Sequence, residues 1–175
     1  APTNPTAITA LSAVGGDPVL EDTWYAHAHP HFSWSGESDG VGSGVAGYFV
    51  VFEEATEVPI TPTPPSEETI SYVCNDDPEV DGLPPVSPTY TAGTLTACKV
   101  YCLRIKTYDY AGNKSGVLNA FTYRYDSTNE IVPDINPVPG FINDAAVTFT
   151  WSPITNITGA PILKLQYKTG ATVDS

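Results

Sequence analysis

Asp77-Pro-Glu79-Val-Asp81-Gly82 sets side-chain oxygens at alternate positions and follows them with a glycine. Alternate carboxylates converge on a hard cation while the glycine turns the chain sharply, which is the chemistry of a calcium loop. Where such a loop carries its bidentate acid, this chain has Pro88. The segment therefore reads either as a calcium site or as a solvated acidic loop. Asp126 and Asp134 flank a Pro-containing stretch and offer a second, weaker pair of calcium ligands. His27, His29 and His31 are all the histidines of the chain. On an extended segment they share one face at a spacing of about 7 Å, so zinc or copper needs a further ligand from another residue or chain. The alternative is an exposed polar face. Asn113-Lys-Ser115 and Asn156-Ile-Thr158 match the glycosylation sequon. No G-x-S-x-G elbow or H-E-x-x-H helix occurs, so enzyme is the class least supported and no catalytic residue is assigned. No cofactor is required, and calcium is the ligand the acidic residues offer to bind.

Cysteines stand at positions 74, 98 and 102. On one strand, Cys98 and Cys102 have Cα atoms about 13 Å apart, beyond the roughly 7 Å that a disulfide spans. An intrachain bridge must then use Cys74. Cys74–Cys98 is favoured, because Cys98 precedes a long strand beside the segment that carries Cys74; three thiols remain the alternative.

These residues need strands to position them. The chain has 175 residues, 17 Pro, 14 Gly and no amphipathic helical stretch, which favours an all-β fold rich in turns. Lys and Arg number 7 against 20 Asp and Glu, a net charge of -13. Nucleic acid and anionic membrane are thereby disfavoured as partners, since the electrostatic interaction is repulsive. No run approaches the roughly 18 to 20 apolar residues of a membrane span, so no membrane insertion is expected.

Tyr101, Leu103, Ile105 and Thr107 alternate with Cys102, Arg104 and Lys106, the period of a half-buried strand. The run breaks at Asp109-Tyr-Ala-Gly-Asn113, where Gly112 and Asn113 suit a tight turn. This stretch resembles the F strand and F–G turn of bacterial fibronectin type III modules, in which a tyrosine eight residues before the aspartate packs in the core. Tyr101 occupies that position. The resemblance implies an Ig-like β-sandwich with Trp34, Tyr48, Val50, Tyr101, Leu103 and Ile105 in one core. It also implies secretion or display at the cell surface, a setting in which disulfides persist.

His31-Phe-Ser-Trp-Ser35 recurs as Thr148-Phe-Thr-Trp-Ser152, and each copy is followed by an apolar strand, 48–52 or 163–167. Such repetition marks a tandem array. Residues 1–131 read as one sandwich and 132–175 as a linker followed by half of a second module, strands A to C. The first module carries an insertion over 53–88 that holds eight of the prolines and nine of the acidic residues. Its run from Pro59 to Pro65 is extended and unsuited to a sheet, whereas 69–74 reads as a returning edge strand. Phe49 and Val51 alternate with the inward Tyr48, Val50 and Phe52, so the outer face of that strand needs cover from the insertion or from another chain.

Phe149, Trp151, Leu163, Leu165 and Tyr167 lie on strands whose sandwich partners are not in this sequence. The expectation is an extracellular structural protein, a self-assembling filament or surface-layer subunit in which a neighbouring copy completes that module. The alternative is a non-catalytic spacer or binding module of a larger secreted adhesin or enzyme.

Overall fold

A computed structural model describes residues 1–59, 70–81 and 87–128. The chain divides into two units, Ala1–Thr128 and Asn129–Ser175, and every described residue belongs to the first. Strands follow the alternation of apolar and polar side chains: β1 (Ala7–Leu11), β2 (Trp24–Tyr25), β3 (His31–Ser35), β4 (Val45–Glu54), β5 (Thr56–Pro59), β6 (Ile70–Val73), β7 (Thr89–Thr91), β8 (Lys99–Asp109) and β9 (Leu118–Tyr125). No helix occurs among the described residues.

The strands make a three-stranded sheet in the order β1-β3-β7, a four-stranded sheet in the order β2-β9-β8-β4, and the hairpin β5-β6. Pairing is antiparallel apart from β2, which runs parallel to β9. Period-2 alternation gives each strand of the larger sheets an inner apolar side. Phe32 and Trp34 from β3 meet Tyr48 and Val50 from β4, Tyr101, Leu103 and Ile105 from β8, and Phe121 and Tyr123 from β9 in one buried core. The Phe32 ring joins the sheets, 5.3 Å from Phe52 and 5.4 Å from Phe121 between centroids. Each fully buried side chain of this size stabilises the fold by about 1.5–3 kcal/mol.

Two local devices fix the ends of β8. At its start the Tyr101 hydroxyl accepts from the Thr96 N–H at 2.8 Å and donates to the Thr96 carbonyl at 3.2 Å. At its finish, Asp109 accepts from the Asn113 N–H at 2.8 Å and from the Asn113 side-chain amide at 2.7 Å. Gly112 supplies the positive φ of that turn, at 85°, and Asn113 does not need one.

The insertion departs from expectation in one respect. Thr56–Pro59 does ladder, pairing with Ile70–Val73 so that Pro59 lies opposite Ile70 at the last position of its strand. Proline is tolerated there because the pairing ends with it. The returning strand lies where 69–74 was expected, at Ile70–Val73.

Candidate functional site

Register decides what the outer face of the four-stranded sheet carries. Phe49 lies opposite Lys106, Val51 opposite Arg104, and Glu53 opposite Cys102. The sheet thus presents apolar and cationic groups side by side, and the returning insertion lies against them.

A disulfide joins Cys74 to Cys102, with Cα atoms 6.3 Å apart. This corrects the expected Cys74–Cys98 pairing. Cys102 alternates outward with Arg104 on the face where the insertion returns. Cys98 precedes the strand with a φ of 63°, and its thiol lies 3.3 Å from Asp126 Oδ1 and 3.7 Å from the Thr128 hydroxyl. Position along the chain suggested Cys98; Cys98 lies before the strand and leaves its alternation, whereas Cys102 lies within it and faces the insertion.

The bridge sits in a second apolar cluster, where Ala55, Val100 and Cys102 are buried and Trp24, Tyr72 and Cys74 pack against them. Arg124 crosses it. Its guanidinium carbon lies 4.9 Å from the Tyr72 ring centroid and 5.6 Å from that of Trp24, and its Nε donates to Asp22 at 2.6 Å. A cation held over aromatic faces gains from their negative quadrupole while its charge stays paired.

Farther along, Arg104 donates to the Asp76 carbonyl and to Asn119 Oδ1, and its guanidinium stands 3.6 Å from Glu53. Both Glu53 oxygens accept from the Asp76 N–H at 3.1 Å. Burial pushes the Glu53 carboxyl above its ordinary range, against the Asp76 N–H and the Arg104 charge. Pro78 is fully buried. Glu79 accepts from Lys106 at 2.7 Å and from Lys114, and these two ammonium groups hold its carboxyl below the usual range. The Lys114 ammonium also lies 5.8 Å from the Phe49 ring centroid, and that ring is 5.1 Å from Tyr108. Phe49 and Val51 are half-buried.

The acidic motif therefore has partners. Asp77 accepts from the Glu79 N–H at 2.9 Å, and Asp81 accepts from the Asp77 N–H at 3.0 Å, so two of its carboxylates cap their own turn. A calcium ion here competes with Lys106 and Lys114 for Glu79. Asp126 accepts from the Thr128 N–H at 2.9 Å and from its hydroxyl at 2.6 Å. Among the described residues no group of three or more His, Cys, Asp or Glu is placed to hold a metal ion.

The histidines do not share an extended face. The chain bends at Ala28 and His29, and β3 begins only at His31. The His27 carbonyl accepts from the Tyr123 hydroxyl at 2.6 Å, while its ring stacks on Tyr25 at 5.9 Å. His29 Nδ1 meets the Ala92 carbonyl at 3.2 Å, and His31 Nδ1 the Thr91 hydroxyl at 2.7 Å. Buried Pro30 lies between this bend and β3, along a path that the sequence pattern read as one extended segment.

Asn113 is exposed, but its amide is bound to Asp109. Burial acts to raise the Asp109 carboxyl, yet the Asn113 side chain with the Asn113 and Ala111 N–H groups outweighs it and holds the group below its ordinary value. Asp134, Asn156, Phe149, Trp151, Leu163, Leu165 and Tyr167 lie outside the described residues.

Sequence reasoning missed Trp24, Tyr72 and Arg124 as parts of the covered face. A signal for the ionic part was present: Arg104 and Lys106 alternate outward on the strand while the insertion is acidic, so opposite charges were available to meet. Among the described residues no helix is long and apolar enough to cross a membrane. No family model matches the chain, no curated protein matches it in sequence, and no solved structure matches its fold.

Proposed function

We propose that the chain is an extracellular structural protein, built from fibronectin type III-like sandwich modules, that assembles with copies of itself. Strand order supports the module. β1, β3 and β7 take the places of strands A, B and E, and β4, β8 and β9 those of C, F and G. The Tyr101 hydroxyl bonded back to Thr96 is the tyrosine corner of such sandwiches. A disulfide between insertion and sheet suits an oxidising compartment, in keeping with secretion or cell-surface display.

The observation that carries the structural reading is the closure of the outer face. Cys102, Arg104, Lys106 and Arg124, four neighbouring groups on that face, are all engaged within the unit by the insertion or by Asp22. A face so occupied is a brace, and self-association falls to the repeat in residues 140–175. There Phe149, Trp151, Leu163, Leu165 and Tyr167 carry strand patterns that suit pairing with another copy.

Deleting residues 140–175 and measuring assembly by sedimentation tests this. The full chain is expected to form concentration-dependent assemblies and the truncated chain to stay monomeric. Equal assembly by both overturns the role of the repeat. One observation favours a second reading, a non-catalytic spacer or binding module of a larger secreted protein: residues 1–128 hold a closed core of their own. A full chain that stays monomeric at every concentration supports the spacer.

A further inference from the structure

Among the described residues β4 is the last strand of its sheet, and its backbone groups bond to β8 on one side alone. The outer sides of β1 and β9 carry cover. Beside β1, the Val19 N–H donates to the Ala10 carbonyl at 3.0 Å, and Pro18 bridges to Leu11. Beside β9, β2 pairs with Arg124 and Tyr125, and the Glu21 carboxylate accepts from the Thr122 N–H at 3.2 Å. The open edge of β4 has no such cover among the described residues. A bulge between Val45 and Gly47 disturbs its start, but Gly47–Phe52 runs six residues in unbroken register, with no charge and no proline. An unpaired edge templates the addition of another strand unless charge, proline or a bulge blunts it.

A cleft of about 400 Å³ opens beside the start of this edge, lined by residues 45–48, Glu37, Ser87 and Pro88. Successive side chains of a strand point to opposite faces, so a space lined by four consecutive residues lies along the edge rather than over one face. There is thus room beside β4, where a paired strand lies about 4.8 Å away.

Charge and parity select the occupant. Residues 1–128 hold sixteen acidic and five basic side chains, so β4 of a second copy brings like charge to the edge. Residues 163–168, Leu-Lys-Leu-Gln-Tyr-Lys, bring two lysines and no carboxylate, and match Gly47–Phe52 in length. Laid beside β4, Leu163, Leu165 and Tyr167 continue the inner row of Tyr48, Val50 and Phe52, while Lys164, Gln166 and Lys168 fall on the outer side. In such additions main-chain bonds give affinity and the alternation of side chains gives specificity. Building on self-assembly through the repeat, we propose that residues 163–168 of one copy add as a strand to the open edge of β4 in another.

Hydrogen exchange of the full chain, read by mass spectrometry across the concentration at which it assembles, tests this. The amides of 47–52 that face the open edge are expected to exchange fast in the monomer and about tenfold or more slowly in the assembly. A synthetic peptide of residues 161–170, added in excess, is expected to give the same protection while lowering the assembled fraction. Leu165→Pro, which cannot complete a ladder, is expected to lose both assembly and protection. Assembly with exchange at 47–52 unchanged overturns the inference and leaves self-assembly standing, whereas a chain that stays monomeric at every concentration overturns both. Protection that persists in assembled Leu165→Pro overturns the choice of segment. A peptide that protects nothing overturns it too, even where Leu165→Pro fails to fold. Exchange already slow in the monomer places a strand of the same copy on the edge, and that also overturns the inference.

Discussion

With its hydroxyl bonded to both the N–H and the carbonyl of Thr96, Tyr101 does more than fill the core. Phenylalanine at this position keeps the buried ring, removes both hydrogen bonds, and leaves the Thr96 groups to find water. Tyr101→Phe is expected to destabilise the fold by about 1–3 kcal/mol, the net contribution of two hydrogen bonds at about 0.5–1.5 kcal/mol each. Equilibrium unfolding in urea checks this, and a change below about 0.5 kcal/mol, the scale of surface substitutions, shows that the corner contributes nothing. The burial of Tyr101 was legible because it recurs in the alternation with Leu103 and Ile105. The bond to Thr96 was not, since it depends on the path of the chain between β7 and β8. Backbone conformation explains the cysteines. Two residues four apart on an ideal strand point to the same side, but Cys98 precedes β8 in a left-handed conformation and leaves that pattern. A sequence pattern cannot register a single residue of positive φ.

At the scale of elements, the insertion is the informative case. Strands β4 and β8 lie where period-2 alternation placed them, because each packs an apolar side against a common core. Short β1 and β7 carry too few residues for periodicity to speak, and pair through β3. The returning strand of the insertion was legible at 69–74, but its docking was not, since that rests on contacts with distant residues: Tyr72 with Arg124, Glu79 with Lys106 and Lys114, Cys74 with Cys102. Closing a loop of 28 residues by a disulfide lowers the entropy of the unfolded chain. Replacing Cys74 and Cys102 together by serine is expected to reduce stability by about 2–4 kcal/mol. The core of Phe32, Trp34 and Leu103 contains neither cysteine, so the doubly substituted chain keeps its β-sheet circular dichroism. Peptide mapping without reduction is expected to recover Cys74 linked to Cys102; recovery of Cys74 linked to Cys98 overturns the pairing.

At the scale of the whole molecule, charge bears on the proposed assembly. Residues 1–128 hold sixteen acidic and five basic side chains. All five cations have carboxylate partners inside the unit: Lys99 with Glu54, Arg104 with Glu53, Lys106 and Lys114 with Glu79, and Arg124 with Asp22. The rest of its surface charge is acidic, so a second copy meets repulsion on approach. Lys164 and Lys168 are the remaining cations, against four acidic residues in 129–175. They are too few to reverse the balance. In the proposed assembly the contacts between copies are then apolar or main-chain in origin, in keeping with the sequence pattern of Phe149, Trp151, Leu163, Leu165 and Tyr167, and they work against a like-charge barrier. Raising ionic strength from 0.01 to 0.1 M shortens the screening length from about 30 to about 10 Å, which lowers that barrier and leaves apolar contacts in place. Sodium chloride is therefore expected to increase the assembled fraction of the full chain, read by light scattering at fixed protein concentration. Salt that dissolves the assemblies gives the opposite sign and means that ion pairs hold the copies together, with Lys164 and Lys168 the first residues to replace. The sign of the salt response thus separates an apolar contact from an ionic one before any interface has been located.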